Sequence, residues 1–526
     1  MLGNKAVLGG MNTMKDSHNA PQVLREELPV QRFVCDALGQ AVVEGEVALP
    51  GGLREETRVL CTQALAVLEH ATVENARVGV DGRVTFHVLY TQGDPTRVNT
   101  LEAAADFTHP IDISNAQPGM TALVSLSPEH VEASAQGGRL HLMAILRVHA
   151  RVLTDEPVSV VTGVQDVDGL MLRTETVCVL RPGCQGAQDV LIRDECELPA
   201  ALQINDTLYA TAIATVHEVM GGEERAAVTG TIDLEVTHVS SMPSRPVVIT
   251  RHSIPFDETL ALSGERGDGL CCSAVVRDVA VLSQEAGDEG ERTLRAEVLL
   301  GLQVQSARTK DVCLLLDAYT TQGDALALET QSVQRACAHR QIRTAESGRL
   351  TLLLDGQPPV RTPLKAVLTP IITDLTPQGG RLNVEGMMDV TLLYMTDDDP
   401  SPQTWHTEEP FRMTFACDPS LPQSIILTPG MVDVTPVTSD RVEVKYILHL
   451  DCQDVQLAPE QLVTQVTACP AGEREPGMVV YFSQPGETLW DIAKRYRVNA
   501  EAIKRMNPTI SEDGAAQVQR VLMWSR

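Results

Sequence analysis

Aromatic residues are scarce in this chain of 526 residues, since Phe, Trp and Tyr together make up 3% of it. Hydrophobic residues as a whole make up 43%, which is enough for ordinary protein cores. The cores must therefore be built from Val, Leu, Ile and Ala. A chain of this length predicts three to five domains if each holds ~100–200 residues.

Long apolar runs are also missing, and none approaches the ~18 residues of a membrane-spanning helix. The N-terminus has one lysine, Lys5, followed by the short apolar run Ala6 to Met11. That run is too short for the core of a signal peptide, and polar residues soon follow it. We therefore expect no membrane insertion and no export by the general secretory route.

The twelve cysteines form no C-x-x-C pair, and no histidine lies at the spacing of a zinc site. The only neighbours are Cys271 and Cys272, which cannot easily bond to each other and have no basic residue before Arg277 to lower a thiol pKa. We expect reduced, buried thiols in a cytosolic protein. Disulfides formed later, after lysis of the cell around an assembled shell, are the alternative.

Basic residues are fewer than acidic residues, 42 against 70, so the net charge is −28. The charge is uneven: residues 478–526 hold seven Lys or Arg and five Asp or Glu, so that segment is +2 and the remainder is −30. An acidic body argues against nucleic acid and anionic lipid as partners. The slightly basic C-terminal segment could dock an acidic partner.

Catalytic motifs are absent as well. The chain has no phosphate-binding glycine loop ending in Lys-Ser/Thr and no nucleophile elbow. Carboxylate pairs of the kind used by glycosidases occur by chance in so acidic a chain and indicate nothing. The run Asp397-Asp398-Asp399 resembles a metal loop, but a calcium loop needs more oxygen ligands at set spacing, so a solvated turn is the better interpretation. We predict a protein that is not an enzyme and holds no metal and no cofactor.

What the chain does contain is a strand pattern that occurs three times. Each copy is a Val-x-Gly unit, at Gly82, Gly230 and Gly386, followed by alternating apolar residues. Period-2 alternation is typical of a half-buried β-strand. The last position of the pattern holds Tyr90, His238 or Tyr394, so we interpret it as a packing or hydrogen-bonding slot. The apolar positions are Val84, Phe86 and Val88; Ile232, Leu234 and Val236; and Met388, Val390 and Leu392.

Other elements recur in step with this strand. A β-type run precedes each glycine, a phenylalanine follows each strand by 17 or 18 residues (Phe107, Phe256, Phe411), and a second alternating strand comes later. Polar Gly/Pro loops separate these elements. The fold class predicted is mainly β, with three β-sandwich-like repeat domains and a small α+β (βααβ) domain at the C-terminus.

The predicted division of the chain places joins at Gly183–Ala187 and Ala345–Gly348 and a polar Pro/Gly tether before the last module. The units are a polar tail at 1–28, repeats at 29–184, 185–344 and 345–470, a linker at 471–477 and the terminal module at 478–526.

The terminal module has the order strand, helix, helix, strand in under 50 residues. Met478 to Phe482 is a β-type run, and Thr488 is placed to cap a helix with Asp491 three residues later. Asn499 can cap a second helix, Ala500 to Met506, which Pro508 stops. A last run, Val518 to Trp524, can pair with the first strand.

These residues resemble the LysM domain, most clearly in Tyr481, the Pro485–Leu489 turn, the Trp490–Ala493 helix start and Asn507-Pro508. The family's usual Pro-Gly-Gln turn is replaced here by residues 515–520. LysM domains mostly bind glycans that contain N-acetylglucosamine. The resemblance implies a groove for a partner or a glycan, formed by Pro485, Gly486, Glu487, Thr488, Asn507, Pro508 and Ile510.

A second surface of the module is a candidate protein interface. Trp490 lies off the apolar stripe of its helix, on the side shared with Lys494 and Arg497. A large aromatic beside cations at a surface is enriched in protein interfaces. The alternative is that the Trp490 ring packs sideways on its own domain.

Three such repeats followed by one LysM module resemble the SipL type of spore coat morphogenetic protein, whose repeats are called SPOCS domains. The resemblance implies a mother-cell protein at the forespore surface, in the spore coat, that binds the ATPase of the coat basement layer through its LysM domain. It also implies a scaffold that contacts itself and other coat proteins through the repeats. The other hypothesis is a peptidoglycan-binding protein of the cell wall or spore cortex, which rests on the LysM resemblance alone.

Overall fold

The computed structural model describes most of the chain. The described residues are 21–29, 32–49, 52, 56–136, 139–154, 157–222, 224–286, 291–417, 422–472, 476–510 and 518–525. The tail up to residue 20, residues 473–475 of the tether and residues 511–517 of the terminal module lie outside them.

The first repeat is a sandwich of two three-stranded antiparallel sheets, with strand orders β3-β4-β5 and β2-β7-β6, beside a separate two-stranded ribbon, β1-β8. Its core lies between the two sheets. The strands are β1 (Gln22–Pro29), β2 (Arg32–Val47), β3 (Arg58–Glu74), β4 (Arg77–Gln92), β5 (Asp94–Asp112), β6 (Thr121–Gln136), β7 (Arg139–Thr154) and β8 (Pro157–Gln165).

The second repeat has the same two sheets, in the orders β10-β11-β12 and β13-β14-β9. Here the ribbon is continuous with the second sheet, because the outer halves of β9 and β14 pair with each other beyond the sandwich. The strands are β9 (Leu170–Leu198), β10 (Ile204–Gly221), β11 (Arg225–Ser240), β12 (Val247–Ala261), β13 (Asp268–Ala286) and β14 (Glu291–Thr320).

The third repeat follows the second, with sheets β16-β17-β18 and β15-β20-β19 and a ribbon made by the outer halves of β15 and β20. The strands are β15 (Ala325–Leu353), β16 (Thr362–Gln378), β17 (Arg381–Met395), β18 (Gln403–Phe415), β19 (Pro422–Thr438) and β20 (Arg441–Cys469). The mainly β fold class with three sandwich-like repeats is therefore confirmed.

The alternating residues of the repeated strand face the sandwich cores as predicted. Val84, Phe86 and Val88 have no exposed surface, and neither do Met388 and Val390 of the third copy. Burying an aliphatic side chain of this size contributes about 1.5–3 kcal/mol. The two sheets of each repeat are thus held together by the residues that produced the sequence pattern.

The glycine of each Val-x-Gly unit has a steric cause. In the antiparallel ladders Gly82 pairs with Phe107, Gly230 with Phe256 and Gly386 with Phe411. A Cβ on any of them would lie 2.5–2.8 Å from the ring of its phenylalanine and under 2.8 Å from a backbone carbonyl oxygen. Each ring therefore lies over a glycine on the neighbouring strand, which explains why the two residues recur together.

The three ribbons pack on one another and form a shared apolar layer, which we call the ribbon layer. Its buried residues come from all three repeats: Leu28, Val160, Val177, Val179, Val312, Leu314, Val333 and Leu462. A second apolar cluster next to it holds Val161, Val164, Leu315, Ala318, Val463 and Val466. The repeats are thus joined in space as well as along the chain.

A second contact between the repeats lies where their first sheets meet, and we call it the axis cluster. Cys61, Tyr209 and Lys365 each lie 21 residues before the glycine of their repeat, and all three are buried. Each comes directly after a bulge of its strand and pairs with the strand that carries the glycine. The three positions are therefore equivalent, although they hold a thiol, a phenol and an ammonium group.

The predicted joins between repeats fall inside continuous strands. Residues 183–187 lie within β9, with 185–187 paired and 183–184 at a bulge, and residues 345–348 are paired within β15. β1 begins at Gln22, inside the segment predicted as a tail. At these two joins a strand passes from the ribbon into the sandwich. A short Gly/Ser-rich stretch occurs both at such a passage and in a linker, so composition alone does not distinguish them. The division into folding units stays a prediction.

Candidate functional site

The terminal module has the predicted strand, helix, helix, strand order. Its sheet pairs β21 (Gly477–Phe482) with β22 (Arg520–Ser525) in antiparallel register, and its helices are α1 (Leu489–Tyr496) and α2 (Ala500–Met506). Leu489, Ile492, Ala493, Ile503, Val521 and Met523 form its buried core.

Both helix caps form as the sequence predicts. The Thr488 hydroxyl accepts a hydrogen bond from the Asp491 amide, and the Asp491 carboxylate accepts one from the Thr488 amide at 3.0 Å. The hydrogen bonds from Thr488 lower the pKa of Asp491. Asn499 caps α2 by accepting from the Glu501 amide at 2.8 Å. Such caps typically contribute about 1 kcal/mol each.

The polar residues of the predicted groove have partners inside the module. The Glu487 carboxylate is 7% exposed, accepts from the Tyr481 hydroxyl at 2.8 Å and from the Gln484 amide at 3.0 Å, and pairs with Arg495 at 2.7 Å. The Asn507 side chain donates to the Leu522 carbonyl at 2.6 Å and accepts from the Leu522 amide at 2.8 Å. Glu487 and Asn507 therefore fix the loops on either side of the groove.

The remaining groove residues differ in exposure. Pro485, Gly486 and Pro508 are exposed, and Gly486 has φ +81°, a conformation that favours glycine. Ile510 is half-buried and packs against the module's core. The open part of the groove thus presents apolar and backbone atoms.

The Trp490 side of α1 lies against the second repeat, at the tip of its ribbon. Trp490 Nε1 donates to Asp317 Oδ2 at 2.8 Å, and Lys494 Nζ donates to Asp317 Oδ1 at 2.5 Å. The rings of Trp490 and Tyr319 meet edge to face, with centroids 4.9 Å apart. One carboxylate and one aromatic ring of the second repeat therefore hold this helix.

The rest of this contact extends from the end of α1 across the turn between the second and third repeats. Arg497 donates to the Thr320 carbonyl at 2.9 Å, to the Thr320 hydroxyl at 2.6 Å and to the Gly323 carbonyl at 2.6 Å. The Tyr319 hydroxyl donates to the Val498 carbonyl at 2.9 Å. Burial raises the pKa of Tyr319 to about 12, so this phenol remains a hydrogen-bond donor.

We call this whole contact the clasp: Trp490, Lys494, Arg497 and Val498 of the module, with Asp317, Tyr319, Thr320 and the turn up to Asp324 of the body. Trp490, Lys494 and Arg497 are brought together as the sequence predicts. Their partners were missed. The string Thr-Gln-Gly-Asp at 321–324 also occurs at 91–94, but nothing in either copy distinguishes the one that meets the module.

The opposite side of the module carries an exposed apolar stripe. Met478, Val480 and Phe482 of β21 are 51–62% exposed, and Trp524 of β22 is 52% exposed. Met478 pairs with Trp524, and Phe482 pairs with Arg520. The module is thus held by its helix side and exposes the outer face of its sheet.

Other candidate residues of the body have structural surroundings. His238 is buried between the hydroxyls of Thr207 and Thr250, at 3.0 and 2.8 Å, and burial lowers its pKa to about 4. Cys272 is buried, and burial raises the pKa of its thiol. Both surroundings favour the neutral form of the side chain. For His238 this agrees with the packing or hydrogen-bonding slot that Tyr90 and Tyr394 fill in the other repeats.

The acidic run after β17 forms a turn. The Asp399 carboxylate accepts from the Ser401 amide at 2.8 Å and from the Ser401 hydroxyl at 2.6 Å, which lowers the pKa of Asp399. Among the described residues, no group of three or more His, Cys, Asp or Glu is placed to hold a metal ion. In that same part of the chain, no helix is both long and apolar enough to span a membrane.

Comparison with known protein families gives two matches. The SipL, SPOCS domain family matches residues 57–136, which lie in the first repeat, and the LysM domain family matches residues 484–524. Searches of curated proteins and of solved structures found no match. Both families are non-catalytic binding domains, and together they indicate a sporulation protein with a peptidoglycan-binding type of module. The chain thus has the organisation of a SipL-type protein, with a SPOCS domain in its first repeat and a LysM domain at its C-terminus.

Proposed function

We propose that the protein is a non-enzymatic morphogenetic adaptor of the spore coat. In this function the LysM module binds the ATPase of the coat basement layer at the forespore surface, in the mother-cell cytoplasm. The three repeats then serve as a scaffold on which the coat assembles, through contacts with further copies of the chain or with other coat proteins.

The observation that carries the proposal is the chemistry of the clasp. One face of α1 already recognises protein groups: the Asp317 carboxylate, the Tyr319 ring and the backbone carbonyls of the turn at 320–324. A tryptophan flanked by Lys494 and Arg497 is a typical centre of a protein interface. This face supports protein docking as the function of the module.

The scaffold part of the proposal rests on the construction of the body. The ribbon layer and the axis cluster join the three sandwiches, so each repeat is packed against the others. The body is strongly acidic, while the module is +2. The two parts therefore present surfaces of opposite charge to their surroundings.

Peptidoglycan binding by the module is the second candidate function. Pro485, Gly486 and Pro508 are exposed at the groove, so a glycan could reach backbone groups there. The Glu487 and Asn507 side chains would support the groove from behind, because their polar atoms are bonded within the module.

The test compares the full chain with a chain that ends at residue 470 and lacks the tether and the module. Each is offered the purified basement-layer ATPase and purified peptidoglycan in parallel, with circular dichroism as the folding control. We expect the full chain to bind the ATPase and the shortened chain to lose that binding. Binding to peptidoglycan alone, lost on the substitution Pro485→Asp at the groove, would replace the adaptor function with the second candidate.

A further inference from the structure

The clasp places the module's best protein-recognition face inside the molecule. The Asp317 side chain is 23% exposed and that of Lys494 is 41% exposed, so the contact is only partly shielded from water. Tyr319, by contrast, is 3% exposed and belongs to the module's core cluster. The contact therefore combines a buried aromatic anchor with a charged rim that solvent reaches.

We propose that the clasp is an internal ligand that keeps this face occupied, and that a partner binds it only after displacing the module from the second repeat. The inference rests on the proposed function, and it adds the chemistry of the partner. To replace the second repeat, the partner must present a carboxylate to Trp490 and Lys494. It must also present a turn with free backbone carbonyls to the guanidinium of Arg497.

The thermodynamic consequence follows from the tether. Residues 471–477 join the module to the body, so docking is intramolecular, with an effective concentration that is typically millimolar for a short linker. An external partner then binds only the released fraction of molecules, and its apparent Kd rises in inverse proportion to that fraction. Weakening the clasp from the body side should therefore strengthen partner binding without any change in the module.

Asp317 is the residue to change, because it belongs to the body and accepts from two donors of the module. Asp317→Asn keeps an oxygen acceptor for Trp490 but removes the charge opposite Lys494. Asp317→Ala removes both. Asp317 also accepts from the Ala318 amide at 2.8 Å, so the asparagine variant guards against local damage to β14. Asp311→Ala is the matched control, since Asp311 is an exposed aspartate on the same strand.

Release of the module is measured first, without any partner. Limited proteolysis at the tether should cut Asp317→Ala faster than the unmodified chain, with Asp317→Asn between the two and Asp311→Ala unchanged. The tryptophan fluorescence should change in the same order, because Trp490 loses its contact with Tyr319. Equal cleavage of all four chains would overturn the clasp as a closed contact in solution.

Binding of the purified basement-layer ATPase to the same full-length chains is measured next. We expect Asp317→Ala to bind about five-fold or more tightly than the unmodified chain, in the range of typical coupling between sites. Asp311→Ala should match the unmodified chain. An unmodified chain that binds, together with an Asp317→Ala chain that is released but binds no more tightly, would overturn this inference and leave the proposed function intact.

Two further outcomes separate the proposals. Loss of ATPase binding in Phe482→Asp, with no effect of Asp317→Ala, would place the partner on the exposed sheet face and overturn the inference. Absence of ATPase binding by the unmodified chain and by the released Asp317→Ala chain would overturn the proposed function, and the inference with it.

Discussion

The ribbon layer and the axis cluster both join the three repeats, but they do so with opposite chemistry. The ribbon layer is built from Val and Leu of all three repeats. The axis cluster contains apolar residues too, yet Lys365 lies at its centre, 2% exposed, with Nζ 2.9 Å from Thr237, 3.2 Å from Glu235 and 4.8 Å from the centre of the Tyr209 ring.

The ribbon layer can hold the repeats together, whereas the axis cluster can also select one arrangement of them. An apolar layer is non-directional, so it would hold similar repeats together in more than one arrangement. A buried ammonium group is stable only where its partners are already in place. Burial alone would lower the pKa of Lys365, but the Tyr209 hydroxyl and the Glu235 carboxylate outweigh it and raise that pKa. Because lysine comes from the third repeat and both partners come from the second, the axis cluster fixes which repeat lies where.

The largest expected effect is that of Lys365→Ala. The substitution removes a buried ammonium group, takes one partner from the Thr237 hydroxyl and from the Glu235 carboxylate, which keeps Arg251 at 3.2 Å, and leaves a cavity. We therefore expect a loss of about 4 kcal/mol in the free energy of unfolding. Urea titration followed by circular dichroism measures it. Lys445→Ala is the control, since Lys445 is 52% exposed and pairs with Glu443 at 3.2 Å. A loss no larger than that of the control would mean that the buried Lys365 stabilises the protein no more than an exposed lysine does.

Leu314→Ala tests the other side of the comparison. Leu314 is 2% exposed in the ribbon layer, and shortening a buried leucine leaves a cavity, so we expect a loss of about 3 kcal/mol. The same urea titration applies. Leu172→Ala, on the same ribbon but 38% exposed, should cost clearly less. Equal losses in the two variants would show that the ribbons are not packed on one another in solution.

The two contacts also differ in how far the sequence could predict them. The strands, the repeat glycines and the helix caps of the module follow from periodicity and spacing, because each depends on residues close together in the chain or in the ladder. Cys61, Tyr209 and Lys365 share one position in three repeats but have nothing chemical in common, so no pattern marks them. Their equal spacing from the repeat glycines can be read from the sequence, but only the structure shows that they meet in one cluster.

The candidate site shows the same limit. Trp490, Lys494 and Arg497 follow from helical spacing on a short segment. Asp317, which binds two of them, lies 173 residues before Trp490, on a strand end with no motif of its own. The place of Glu487 and Asn507 in a groove stays a prediction, and the sequence does not predict the hydrogen bonds by which they hold the loops of the module. The sequence therefore does not predict the long-range contacts that single polar side chains make.

The smallest expected effect concerns acid sensitivity, which should belong to the axis cluster and not to the ribbon layer. His87 stacks on Tyr209, with ring centroids 5.2 Å apart, and its Nδ1 lies 3.6 Å from Glu102 without a hydrogen bond. Burial, together with the nearby charge of Lys365, lowers the pKa of His87 from 6.5 to about 4, against an opposing effect of Asp278. The folded chain therefore takes up this proton only near pH 4, while the unfolded chain takes it up near pH 6.5.

Because the unfolded state binds more protons between these two values, the free energy of unfolding should fall as the pH falls from 6.5 to 4. We expect His87 to account for about 2 kcal/mol of this loss, and His238, whose pKa is lowered in the same direction, to add to it. Urea titrations at pH 7 and pH 4.5 should show a smaller loss for His87→Gln than for the unmodified chain. His141→Gln, at a histidine whose side chain is 39% exposed, serves as the control. If His87→Gln and His141→Gln lose equal stability between pH 7 and pH 4.5, the acid sensitivity does not come from the axis cluster.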